Sequence, residues 1–207
     1  MSTNLSARDI VARASAPIRK GVTVDLTGLL IEEPIDLSGA TLGNVDFSGT
    51  HFLGSVTCRA ATFAGIAWFK RCHFHGPLDL SRAVLSNDLR LGHAMFEQAV
   101  TFSRAEIRGV AELDHARFAA AADLDGLVVF GSMSMAGTVF AAPVTLQGSD
   151  FLGGLWCEST HFASRVDFRG IEVHGRTWLK HATIAGVEPN GARDPTRDIQ
   201  SYGYRWT

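Results

Sequence analysis

The stretch Lys70-Arg71-Cys72-His73-Phe74-His75 sets a thiol and two imidazoles within four positions. Those side chains are the usual ligands of zinc and copper. Further along, His93 and His115, with Asp114 beside the second, are the residue types that move protons. The three cysteines, Cys58, Cys72 and Cys157, form no Cys-x-x-Cys pair. No serine, cysteine or carboxylate pair stands at a recognisable catalytic spacing. There is no G-x-G-x-x-G, no P-loop and no GGxGxD calcium repeat. Whether the histidines meet one another, or meet Cys72, depends on the register of the elements that carry them.

Composition narrows the field first. The chain has 207 residues and a net charge of -2, which argues against a basic nucleic-acid binder and against a densely acidic mimic of DNA. No direct nucleic-acid binding is expected. No apolar run approaches the ~18 residues of a membrane helix, so no membrane partner is expected. The opening MSTNLSARDIVARAS lacks a basic region followed by a long apolar one, so a secretory signal is not expected. An odd number of scattered cysteines fits a reduced, cytoplasmic protein. With 21 Gly and 13 Phe against 2 Tyr, the chain has the makings of many turns between short strands.

The positions of the phenylalanines are periodic. Stepping eleven residues from Phe52 lands on Phe63, Phe74, Leu85, Phe96, Ile107, Phe118, Val129, Phe140, Phe151, Phe162, Val173 and Ile184. A second series lies six residues later, from Cys58 through Phe69, Leu80, Leu91, Phe102 and Leu113 to Leu179. Every member of both is apolar. Before Phe52 the spacing is five, through Leu37, Leu42 and Phe47. A helical reading of an eleven-residue period fails, because recurrent glycine costs ~1 kcal/mol at each helix-interior position. In-out-in triplets separated by turns indicate very short strands joined by corners, stacked into a solenoid.

Units such as IDLSG, ATLGN, VDFSG, ADLDG and VDFRG resemble the pentapeptide-repeat family, in a divergent branch whose spacing alternates between five and six. The resemblance covers about residues 35–186. It implies an all-β solenoid, a right-handed quadrilateral β-helix of about seven coils of 22 residues. Residues 1–34 are then an N-terminal capping helix and lead-in strand, with Ile10, Val11 and Ala14 as the apolar side of a helix over 5–16. Residues 187–207 are a C-terminal cap, dimer arm or loose tail. How the extra residue in alternate units is accommodated, as a widened corner or a bulge, stays open.

That register answers for the histidines. Phe74 and Cys72 point inward, His73 points out, and His75 sits at the next corner. The cysteine and the histidines then lie on opposite sides of the wall, and a metal shared between them is not expected. His51 precedes His73 by 22 residues and stacks beside it, so a zinc or copper site at His51, His73 and His75 is an open alternative to exposed ring stacking. No cofactor is assigned. A second outward file holds Thr57, Asp79, Thr101, Asp123, Thr145 and Asp167, where alternation keeps like charges apart and permits lateral hydrogen bonds. Asp79, Asp123 and Asp167 otherwise form an acidic stripe for a basic partner. On the opposite side, Trp68, Trp156 and Trp178 share a file, with Phe130 and Leu152 nearby; outward aromatics of this kind mark an interface. The reading is a non-enzymatic protein-interaction scaffold, a homodimer or a binder of another protein. Two alternatives accompany it. One is a DNA-mimicking protein that binds a topoisomerase such as gyrase, as the family resemblance implies for some members. The other is an enzyme or metal binder using the surface histidines.

Overall fold

A computed structural model of the chain describes residues 5–19, 21–189 and 194–207. It is a parallel β-solenoid of about seven coils with four flat sheets and one short helix at the N-terminal end. Face 1 begins with Thr23–Asp25, face 2 with Leu30–Ile31, face 3 with Ile35–Asp36 and face 4 with Thr41–Leu42. The chain visits them in that order and then steps up one coil. The sheets hold nine, eight, seven and eight strands, every one paired in parallel with the strand one coil away.

The inward residues explain the architecture. Every anchor of both eleven-residue series in the described chain is buried, from Phe52 at 1% exposure to Ile184 at 6%. On face 2, Phe52, Phe74, Phe96, Phe118, Phe140 and Phe162 form a continuous stack with ring centroids 4.5 to 4.9 Å apart. Burying each such ring contributes about 1.5–3 kcal/mol, and each ring pair about 0.5–1.5 kcal/mol more. The small position two residues before an anchor is inward as well. Several of the polar residues there reach the anchor carbonyl of the preceding coil: Thr50 donates to Leu26 O at 2.7 Å, Thr138 to Leu113 O at 2.7 Å and Thr160 to Met135 O at 2.7 Å.

The five-six alternation follows from two kinds of corner. After faces 1 and 3 the anchors are five apart, and the chain turns tightly with a left-handed residue, among them Arg82 (φ 57°), His93 (φ 58°), Arg104 (φ 56°) and Gly126 (φ 63°). The N–H three residues after the anchor closes this turn, as Ala83 N does on Leu80 O at 3.0 Å. After faces 2 and 4 the anchors are six apart in later coils, and the longer corner needs no such residue at most levels. Here backbones of adjacent coils approach closely. A Cβ on Gly153 would lie 2.4 Å from the Gly131 carbonyl carbon, and one on Gly175 would lie 2.5 Å from that of Gly153. The extra residue thus widens a corner; it does not bulge a strand. The first coil lacks one of these, so Val24 pairs with Val45 whereas Val45 pairs with Ala67.

Both ends are covered. Helix α1, Ala7–Ala14, starts at a capping box of Ser6 and Asp9 and buries Ile10 and Ala14 over the first coil. Pairing begins at Thr23, upstream of residue 35, and continues past residue 186: Glu172 pairs with Gln200 and Trp178 with Trp206. The described tail therefore lies on the last coil as a partial turn. It buries Ile199 at 5% exposure and is pinned by Arg205, whose guanidinium lies 2.6 Å from Asp194.

Candidate functional site

The wall of the solenoid separates Cys72 from its histidine neighbours. Cys72 is fully buried, and its thiol donates to Phe47 O at 3.0 Å. Burial pushes the thiols of Cys58, Cys72 and Cys157 up to about 12, so none is a nucleophile or ready metal ligand at neutral pH. His73 and His75 are on the outside of face 2. His73 is in register with His51 on the previous coil. The His51–His73 centroids are 5.4 Å apart, His51–His75 6.1 Å and His73–His75 3.8 Å. Glu97, one coil beyond His75, takes a hydrogen bond from His73 Nε2 at 2.7 Å and lies 3.2 Å from His75 Nδ1. The His73 bond, more than any other contact, holds the Glu97 carboxyl below the usual range.

Face 3 carries the Asp-Thr file in the expected register, with Asp79 between Thr57 and Thr101, and Asp123 between Thr101 and Thr145. The carboxylates have local duties. Asp79, Asp123 and Asp167 each accept the N–H two residues on, from Ser81, Asp125 and Arg169. This is the side-chain turn for which Asp is favoured after a short strand. One lateral bond of the expected kind also forms, from Thr101 Oγ1 to Asp123 at 3.3 Å. Asp79 is paired with Arg59 at 2.8 Å and Asp167 with Arg169 at 2.6 Å. An open groove of about 690 Å³ runs over this file, between the Asp-Thr row and a ledge of Pro77, Ala99, Ala121 and Pro143.

Face 1 is divided along its length. Its middle is a charged network in which Arg90 bridges Asp88 at 2.6 Å and Glu112 at 2.7 Å. Its C-terminal part is aromatic. Trp156 and Trp178 are in register with centroids 5.8 Å apart, and Trp206 extends the stack at 4.7 Å from Trp178. Tyr204 packs on Trp206 at 4.1 Å, and Arg176 lies over the Trp206 ring. Along the adjoining corner, Phe130 is 48% exposed, Leu152 38% and Tyr202 56%. Trp68 does not join this cluster. It shares the file but lies four strands from Trp156, roughly 19 Å away, with Arg90, Glu112 and Ser134 between. Trp206, Tyr202 and Tyr204 take its place. Their inclusion breaks the period, because the last coil advances 28 residues where its predecessors advance 22.

His93 and His115 stack at 4.9 Å on the corner after face 1. Asp114, the carboxylate beside them, is taken up by Ser134 Oγ at 2.5 Å and Ala136 N at 3.0 Å. That leaves the pair without an orienting carboxylate from Asp114. Among the described residues no helix is long and apolar enough to cross a membrane.

Comparison with known proteins agrees with the geometry. The family model described as pentapeptide repeats (9 copies) matches residues 37–84 and 59–106. No curated protein matches the chain.

Proposed function

Since the chain belongs to the pentapeptide-repeat family, we propose that its repeat scaffold serves binding and not catalysis, and that the bound partner is a second copy of the chain. The docking surface is the aromatic end of face 1. The observation that carries this reading is the Trp156–Trp178–Trp206 stack, with Tyr204 packed on Trp206 and exposed Phe130, Leu152 and Tyr202 along the adjoining corner. Contiguous outward aromatics of this size are an interface composition, since charged residues are depleted and Trp and Tyr enriched where proteins meet. A second copy is favoured over another protein because the patch is aromatic at its centre and carries charges of both signs at its edge, Arg176 over the Trp206 ring and Glu172 beside Tyr202. It can meet its own image about a two-fold axis without opposing like charges.

A DNA-mimicking role at a topoisomerase draws less support. Phosphate mimicry needs dense uncompensated acidity. Here two of the three stripe carboxylates are paired with arginine, and the net charge is -2. The test of the dimer is light scattering after size exclusion on wild type and on the Trp156→Asp/Trp178→Asp double variant. A wild-type dimer and a folded monomeric variant are expected. A wild-type monomer, or a variant that still dimerises, would overturn the assignment; in the first case another protein becomes the partner to seek.

A further inference from the structure

We propose that His51, His73 and His75 form a zinc site on face 2, with the Glu97 carboxylate completing it. The three imidazoles each offer a nitrogen, and these atoms all lie within 4.8 Å of one another. Parallel pairing places them so: His51 and His73 are register partners on adjacent coils, and His75 follows His73 at the corner. A tetrahedral ion with Zn–N of about 2.0–2.1 Å needs nitrogens roughly 3.3 Å apart. Side-chain rotations on the order of 1 Å close that gap, and all three rings stand on the outer surface, free of the core. The backbone beneath them stays fixed by the ladder and by the stacked Phe52 and Phe74 rings.

Glu97 gives the cluster its anionic component. Its two oxygens already lie 2.7 Å from His73 Nε2 and 3.2 Å from His75 Nδ1. From there the carboxylate either takes the fourth position or remains on a ring N–H, orienting the imidazole as carboxylates do for metal-bound histidine. Three nitrogens and one oxygen suit zinc and disfavour calcium and magnesium, which take oxygen ligands. The site lies on a different face from the aromatic cluster and within one chain, so it stands or falls independently of dimerisation. Its structural consequence is a clamp across adjacent coils near the N-terminal end.

The test is calorimetric titration of zinc chloride into chelator-stripped full-length protein. One ion per chain is expected. The His51→Ala/His73→Ala/His75→Ala variant is expected to keep the wild-type circular dichroism and lose the ion. Glu97→Gln is expected to weaken binding about 10–100-fold. A His93→Ala/His115→Ala control should bind as wild type does. Absence of stoichiometric uptake at micromolar zinc, or equal uptake by the triple variant, would overturn the site. Unchanged affinity in Glu97→Gln would remove Glu97 from it.

Discussion

Single residues in this chain do one of two jobs, and the side of the wall decides which. Cys72 and His73 are neighbours in sequence, yet one is core and the other faces water. The eleven-residue register is enough to read that division. It does not reveal what the outward aspartates do. Spacing cannot separate a lateral bond to the next coil from a bond to the N–H two residues on, and the latter dominates at Asp25, Asp36, Asp46, Asp79 and Asp167. The recurrent Asp-x-Ser or Asp-x-Thr spacing was the available signal. A pH dependence follows. The hydrogen bonds and charge of Arg169 hold the Asp167 carboxyl down at about 2. A carboxyl lowered on folding contributes stability above its unfolded pKa, about 3.9, and that contribution is lost as pH falls through the folded value. Thermal midpoints should therefore fall between about pH 4 and pH 2, and less steeply in Asp167→Asn than in wild type. Because this pair is on the surface, the difference should be small. Identical slopes would show that the Arg169 contacts are not formed in solution.

At the scale of the element, each strand is only two or three residues long, so its place is set by one inward anchor and one corner. Phe102 is 1% exposed while its neighbour Thr101 faces out. Replacing Phe102 by Ala should cost about 3–5 kcal/mol in urea unfolding, and Thr101→Ala about 1 kcal/mol. Comparable costs would mean that the register is shifted. The corners make a second contrast. Gly153→Ala would push a methyl into the Gly131 backbone and should cost about 1–3 kcal/mol. Gly43→Ala would meet only the Ile18 side chain, at 3.5 Å, and should be tolerated. Anchors and outward files were legible because their period is strict. The corner geometry was not, because an extra residue has the same sequence signature whether it widens a turn or bulges a strand.

Across the whole molecule, the four faces have different characters. Face 2 carries His51, His73 and His75, face 3 the turn-bound Asp36, Asp79, Asp123 and Asp167, and face 1 changes from a charged network to an aromatic cluster. The aromatic cluster was only partly legible. Trp156 and Trp178 follow the period, whereas the tail reaches the same face after an insertion that no repeat announces. The result is a rod whose C-terminal coil both covers its end and carries an outward aromatic cluster. All four tryptophans, Trp68, Trp156, Trp178 and Trp206, stand on face 1, so intrinsic fluorescence reports that face alone. The most direct measurement is acrylamide quenching of tryptophan emission across a protein dilution series, with association followed in parallel by light scattering. If two copies meet through the aromatic end, quenching falls as the dimer fraction rises. Quenching that stays constant while the protein associates would contradict the account.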